Sequence, residues 1–328
     1  MNTGCVVIGR NEAVRLGATL ASVQATALPF AYVDSGSRDT SVAIARATGA
    51  LVVELDPARP FTAARARNEG LTALVDHHPE CEYVIFLDGD CLLDAEFVPS
   101  GVAVMEANPS YATVVGNLIE KSPHASIHAR MCSVEWTAHS GKITDFNSFG
   151  GIMLVRVADF RATGGFNTSM IAGEDPEFAV RLALAAREAF RINVPMATHR
   201  ADIVRFSQWW QRAVRGGHAM AHRYRLHGAS DLQDCKRQYW STVFWGGALP
   251  LFSLLLAPFT EGLSLLMLAG FGLLSFRMVA HFRRAGASPT LATQLAGFGV
   301  FAKFANFVGL VRFHIHSACY KTELVVYK

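Results

Sequence analysis

The segment Phe86-Leu87-Asp88-Gly89-Asp90 puts two carboxylates, one residue apart, at the end of an apolar run. Tyr83 to Leu87 is short, aromatic and β-branched, which is the composition of a buried strand. Gly89 lets the chain turn as it leaves the sheet. Asp88 and Asp90 can then converge on one hard cation, which prefers oxygen ligands. A cation held there would in turn hold a diphosphate. A strand ending in an acidic turn accounts for the same letters, so the chemistry depends on what else the chain supplies.

It supplies several partners. VDSGSRDTS (Val33 to Ser41) places Asp34 at a strand end, where it can accept a hydrogen bond from a nucleobase imide N–H. Ser35 and the small residues after it let a base and ribose approach the backbone. RARNEG offers Arg65 and Arg67 on a helix face, as cations for base or phosphate. GEDPEF sets Glu174 and Asp175 just before a helix, where the positive end of the helix dipole stabilises an ionised base. His199 follows a short strand and is a candidate third metal ligand beside Asp88 and Asp90. Trp209, Trp210 and Arg212 can frame a diphosphate or a lipid acceptor; tryptophans near a membrane also serve as plain interfacial anchors.

The elements that must position these residues alternate in type. Strands are expected at Cys5–Ile8, Ala31–Val33, Leu51–Leu55 and Tyr83–Leu87, and helices at Asn11–Gln24, from Asp39 to Thr48, Thr62–Val75 and Asp94–Ala107. Repeated βα units imply a mostly parallel sheet covered by helices, whose ligands bind at the carboxyl ends of strands. Asp34, Asp88 and Asp90 all fall there. Residues 116–149 read as an irregular loop containing Trp136. A strand is expected at Gly150–Val157, a helix at Glu177–Ala189, a strand at Ile192–Ala197, and a basic helix at Arg205–Leu226.

Charge and hydropathy divide the chain. Residues 1–200 hold 16 Lys/Arg against 22 Asp/Glu, and residues 201–328 hold 14 against 5. The acidic first part and the basic, greasy tail suggest contact with an anionic membrane surface. Nucleic acid is the competing partner for a basic tail, but here most cations flank apolar segments, so no nucleic-acid partner is expected. The reading assigns residues 1–204 to a catalytic domain, 205–239 to a basic linker helix and 240–328 to a membrane-associated region. Within the last, a hairpin at 240–276 is broken by Pro258 to Gly262, and a further apolar helix covers 291–313, able to span or to lie in the interface. Lys236 and Arg237 before the hairpin, and Arg277, Arg283 and Arg284 after it, put both ends on the cytoplasmic side. The six cysteines are scattered, without a C-x-x-C pair, which favours reduced thiols over a disulfide frame or zinc site. The first residues show no basic region before a long apolar run, so no cleavable signal peptide is expected.

In order and spacing, VVIGRNE, DSGSRDTS, ARNEG, FLDGD, GGIMLVRV followed by GGFN, and GEDPEF resemble the inverting glycosyltransferases of family 2, with the GT-A fold, over about residues 4–215. The resemblance implies an α/β sheet flanked by helices and a nucleotide-diphosphate sugar as donor. Asp34 would then contact the nucleobase. Asp88, with Gly89 in the turn, and Asp90 would meet ribose and a divalent cation, Mn2+ or Mg2+. Asp175 would be the catalytic base with Glu174 before it, and His199 would close the metal site. Arg65 and Arg67 both remain candidates for the nucleotide. Processive synthases carry Q-x-x-R-W, whereas this chain has QWWQR, which points to transfer of a single sugar. The expected acceptor is a lipid-linked or other saccharide at the cytoplasmic membrane, in exopolysaccharide or cell-envelope glycan synthesis. The competing readings are a haloacid-dehalogenase-type phosphatase, whose D-x-D belongs on a first strand, and a non-catalytic membrane scaffold that binds nucleotide sugar.

Overall fold

The apolar runs of the first part assemble into one nine-stranded sheet. The computed structural model describes residues 2–137 and 139–319 and divides after Val204 into two units. In chain order the first unit holds β1 (Thr3–Gly9), α1 (Ala13–Gln24), β2 (Phe30–Asp34), α2 (Ser41–Ala47), β3 (Leu51–Glu54), α3 (Ala63–His77), β4 (Tyr83–Asp88) and β5 (Leu92–Leu93). It continues with α4 (Phe97–Ala107), β6 (Tyr111–Glu120), α5 (Ile127–Glu135), β7 (Gly141–Lys142), β8 (Met153–Arg156), α6 (Val157–Ala162), α7 (Glu174–Leu184) and β9 (Glu188–His199).

The strand order is β3-β2-β1-β4-β8-β6-β9-β5, with β7 also on β9. The βα units make β3, β2, β1 and β4 parallel, and β8 then runs antiparallel to both β4 and β6, so the sheet as a whole is mixed. Register carries the site. Gly9 of β1 faces Asp34 of β2, and Ile8 faces Asp88 of β4, so both carboxylates leave the sheet on either side of one strand end. The strands are buried on both faces, with Val6, Val7, Tyr32, Val33, Ile85, Phe86 and Leu87 fully covered. That two-sided burial is why they read as continuous apolar runs.

Three segments differ from expectation. Residues 116–149 are not one loop: β6 runs on to Glu120, and α5 and β7 follow. Gly116 and Asn117 are poor strand residues, and the pairing of β6 with β9 shifts register around them, so the alternation that marks a strand is broken there. β9 likewise extends over 12 residues because Pro195 sits at a register shift, where the ladder tolerates it. Helix α7 starts at Glu174, earlier than expected, because Gly173 caps it in the left-handed region at φ 76°, a conformation that favours glycine.

The second unit contains α8 (Phe206–His227), α9 (Lys236–Val243), α10 (Leu249–Leu255), α11 (Gly270–Arg284) and α12 (Pro289–Cys319). A π-helical turn at Phe244–Ala248 joins α9 to α10, and a 3-10 segment at Leu263–Ala269 leads into α11. The stretches Lys236–Phe259, Leu263–Arg284 and Pro289–Cys319 are each long and apolar enough to cross a membrane. The region expected as a linker helix is α8 and the start of α9, and it belongs to this unit.

Candidate active site

Asp88 and Asp90 stand where β4 ends, as their position after the apolar run requires. The turn between them is fixed from three sides. Gly89 N–H donates to the Ile8 carbonyl at 2.8 Å, Thr19 Oγ1 donates to the Gly89 carbonyl at 3.0 Å, and Cys91 N–H donates to the Asp88 carbonyl at 3.0 Å. From that turn the two carboxylates meet different partners.

Asp90 meets His199. The imidazole Nε2 lies 3.0 Å from Asp90 Oδ2, and the buried Nδ1 has no hydrogen-bond partner among the described residues. The parallel pairing of Glu120 with His199, and Lys121 N–H donating to the His199 carbonyl at 2.8 Å, hold the end of β9 in place. Trp136 covers the ring, with centroids 5.1 Å apart. Arg15 reaches the same Asp90 oxygen at 3.4 Å and also pairs with Asp202. Burial disfavours the Asp90 carboxylate, but His199, then the Cys91 thiol and Arg15, outweigh it and hold the pKa below the ordinary value.

Asp88 meets Arg67. Its Oδ1 accepts from Arg67 Nη2 at 2.9 Å, while Arg67 Nη1 donates to Glu174 Oε1 at 2.7 Å. The guanidinium is only 3% exposed and sits against the Phe166 ring. Burial opposes its charge, but Asp88, Glu174 and Asp175 more than compensate and raise its pKa. One buried cation therefore joins the turn after β4 to the acidic start of α7. Gly151 makes room for it, since a Cβ there would stand 2.1 Å from Nη2.

Glu174, Asp175 and Glu177 occupy the first turn of α7, where the helix dipole favours carboxylates. Asp175, partly exposed at the surface, is nevertheless crowded enough that burial, then the neighbouring Glu174 carboxylate, push its pKa up to about 7. Desolvation and like charge beat the dipole here. Glu177 and Arg181 pair at 2.9 Å, and Arg181 donates to the Thr163 and Gly165 carbonyls, which ties α7 to the GGFN turn. Asn68 makes two hydrogen bonds to the same turn, accepting from Phe166 N–H at 2.9 Å and donating to the Phe166 carbonyl at 2.8 Å. Phe86, Phe160, Phe166 and Phe178 pack in one cluster, each ring 5.1–5.4 Å from its neighbours. The aromatic letters of FLDGD, GGFN and GEDPEF thus brace the acidic ones.

Asp34 is buried at the end of β2, accepting from Tyr32 Oη at 3.1 Å and from Ser37 N–H at 2.7 Å. Ser35 N–H donates to the Gly9 carbonyl at 3.0 Å, which brings the DSGS turn over the end of β1. Arg65 faces elsewhere. Its Nε pairs with Glu69 at 2.7 Å and its Nη1 donates to the carbonyls of Asp56 and Arg59 at 2.9 Å, so it pins the loop after β3. Of the two arginines in RARNEG, Arg67 is the one joined to the acidic site. Trp209, Trp210 and Arg212 lie on α8 in the second unit; Trp209 is buried against Phe298, ring centroids 4.9 Å apart.

Sequence reasoning missed Glu12 and Arg15, both in or just after the VVIGRNE motif. Burial and then Asp90 raise the pKa of Glu12, which marks it as a neighbour of the DxD turn. Their signal was the motif itself, whose charged letters follow β1 directly.

The donor set suits a divalent cation. Asp90, Cys91 and His199 bring ligand atoms within 4.8 Å of one another. Burial, then Asp88 and Asp90, push the Cys91 thiol up, while Asp90 and His199 supply carboxylate and imidazole donors. Those donors match Mn2+ or Mg2+ better than a soft metal.

Residues 5–162 match the model of glycosyl transferase family 2. Among solved structures, the mannosyltransferase PcManGT from Pyrobaculum calidifontis, in complex with GDP-Man and Mn2+, is similar at 14% identity and TM-score 0.57, over 98% of this chain and 88% of that one. Residues 1–349 of S. aureus TarS in complex with UDP-GlcNAc are similar at 14% identity and TM-score 0.54, over 99% and 95%. The same part of TarS with UDP gives 15% identity and TM-score 0.55, over 99% and 94%. No curated protein matches. At these identities the structures establish the fold, which is GT-A.

Proposed function

We propose that this chain, whose residues 5–162 match the model of glycosyl transferase family 2, moves a single sugar, with inversion, from a nucleotide-diphosphate sugar to a lipid-linked or other saccharide acceptor at the cytoplasmic face of a membrane. The observation that carries the reading is Arg67, which joins Asp88 of the DxD to the start of α7 and so sets the candidate base beside the donor carboxylates.

In this scheme Asp34 accepts from the base, and Asp88 with the Gly89 turn receives the ribose. Asp90 and His199, with Asp88 beside them, would hold a divalent cation, which when bound would supply Lewis-acid charge for the departing diphosphate. Asp175 accepts the proton of the acceptor hydroxyl as that oxygen bonds to the anomeric carbon from the face opposite the leaving group. The glycosidic bond forms, the bond from the anomeric carbon to the diphosphate oxygen breaks, and the configuration inverts. A base with a pKa near 7 is matched to neutral pH, where it is substantially ionised and still basic. Arg67 remains a cation throughout and offsets the charge gathered by Asp88 and Glu174.

The class of donor agrees with what the similar proteins hold, GDP-Man in PcManGT and UDP-GlcNAc in TarS. The apolar second unit supports a membrane-borne acceptor, and cations on both sides of its hairpin favour the cytoplasmic face. The test is release of nucleoside diphosphate by the full chain, supplied with membrane lipid extract, across UDP- and GDP-sugars with Mn2+ or Mg2+. One donor should be turned over only with metal and only with extract. Release that needs no acceptor, or none from any sugar donor, would overturn the reading.

A further inference from the structure

Three stretches of the second unit are long and apolar enough to cross a bilayer, yet their packing directions do not fit three crossings. The two hairpin arms, Lys236–Phe259 and Leu263–Arg284, are antiparallel: Trp245 meets Phe271 with centroids 5.5 Å apart, and Ser264 Oγ donates to the Ser253 carbonyl at 2.7 Å. In an up–down–up bundle the third helix runs antiparallel to the second arm and parallel to the first. Against the second arm α12 behaves so, with Phe304 on Phe271 at 5.4 Å, and Met278 where a Cβ on Gly299 would go.

Against the first arm it does not. Tyr239 Oη lies 2.8 Å from His314 Nε2, whereas a Cβ on Gly246 would stand 2.3 Å from the Lys303 carbonyl oxygen. Numbers rise on one helix as they fall on the other, so α12 is antiparallel to this arm as well. No straight helix is antiparallel to both of two mutually antiparallel arms. Helix α12 therefore lies across the base of the hairpin, with α9 along one half and α11 along the other, and residues 249–269 project from its middle. The π-helical turn at 244–248 and the change from 3-10 to α geometry at 269–270 are irregularities of the kind at which helices bend.

Helix α8 supplies the second observation. It runs parallel to α12, with Trp209 on Phe298 at 4.9 Å, Gly217 against the Asn306 backbone and His222 on Phe313 at 5.2 Å. It carries Arg212, Arg215, Arg223 and Arg225 along its length, a composition that a bilayer interior disfavours strongly. A helix bound side by side to α8 cannot enter the hydrocarbon without it.

We propose that this unit is a monotopic anchor for one anionic leaflet. The α8–α12 pair lies along the headgroup layer, and residues 249–269 dip into the leaflet and return on the same side. From Leu249 to Phe259 a helix reaches about 16 Å, roughly half of a ~30 Å core. Phe259 at the tip is 84% exposed, and Leu254, Leu263 and Leu266 around it are exposed too. Between Leu249 and Phe276 no Lys or Arg occurs, while Lys236, Arg237, Arg277, Arg283, Arg284 and Arg312 all lie on the crossing segments, as headgroup contact requires. Glu261 is the only charged residue between Leu249 and Phe276, and it lies at the tip, so the tip is the place to measure. The inference rests on packing and charge, independently of the reaction proposed above.

Two measurements on the full chain test it. In sealed vesicles a membrane-impermeant maleimide should label exposed Cys319 only from the face on which protease reaches the N-terminal unit; labelling from the opposite face means that α12 crosses, and overturns the anchor. A nitroxide on a Thr260→Cys variant, in a Cys319→Ser background and in liposomes containing phosphatidylglycerol, should be relaxed by oxygen and not by a water-soluble nickel chelate. Relaxation by the chelate from the far side means that the hairpin spans, and overturns it equally.

Discussion

His199 Nε2 lies 3.0 Å from Asp90 Oδ2 although 109 residues separate them, and Arg15 reaches the same oxygen at 3.4 Å. The imidazole can serve a cation as a ligand, whereas the guanidinium can only compete with it. Arg15→Gln should therefore tighten Mn2+ binding by up to about fivefold, the size expected of a partly exposed ion pair. Electron paramagnetic resonance of free Mn2+ measures this without turnover. Weaker binding in the variant would show that Arg15 supports the site instead of opposing a metal there.

Asp175 should govern the pH profile. Its pKa is raised to about 7 in the folded chain, so the active, ionised base accumulates as pH rises through about 7, and kcat should climb over that window. Asp175→Asn should lower kcat by ~10²–10⁴-fold with donor affinity nearly unchanged, as expected for a lost general base. Stability runs the other way. A carboxyl with a raised folded pKa favours the fold below its unfolded value and loses that contribution as pH rises through the folded one. The variant should thus gain in Tm relative to the parent above about pH 7 and not below pH 4. An unchanged kcat, or a kcat that falls as pH rises through 7, would remove Asp175 as the base.

Arg67 can be displaced without changing a charge. A Cβ on Gly151 would stand 2.1 Å from its Nη2, so Gly151→Ala should push the guanidinium off Asp88. Activity should drop sharply while the chain stays folded. Arg67→Ala should do more, because Glu174, 7% exposed, would lose the partner of its buried carboxylate. Breaking such a pair costs about 3–5 kcal/mol. Thermal unfolding and kcat of the two variants, side by side, separate position from charge; an alanine at 151 with full activity would show that Arg67 tolerates the shift.

Much of the acidic site is legible in the letters because it depends on short-range patterns. An apolar strand followed by Asp-Gly-Asp, and Gly173 followed by Glu-Asp-Pro, each encode a strand end or a helix start within a few residues. Where function depends on distant pairing, the letters were silent. Arg65 and Arg67 look alike on one helix, and only the fold sends one to the loop after β3 and the other to Asp88. Strand β6 was hidden because the register shift at Gly116 and Asn117 breaks its alternation. In the second unit hydropathy marked apolar lengths correctly but carries no direction. The glycines that let α8 and α12 meet, Gly217 and Gly309, are what reveal how those lengths pack.

The central claim is metal-dependent sugar transfer from a nucleotide donor by the site around Asp90 and Asp175. It is tested most directly by incorporation of labelled sugar from the preferred donor into membrane lipid extract, comparing the full chain with Asp90→Asn and Asp175→Asn. The parent should transfer sugar with Mn2+ or Mg2+ and stop with chelator, and both variants should be reduced by at least ~10²-fold while remaining folded at the assay temperature. Undiminished incorporation by folded Asp90→Asn and Asp175→Asn would contradict the account.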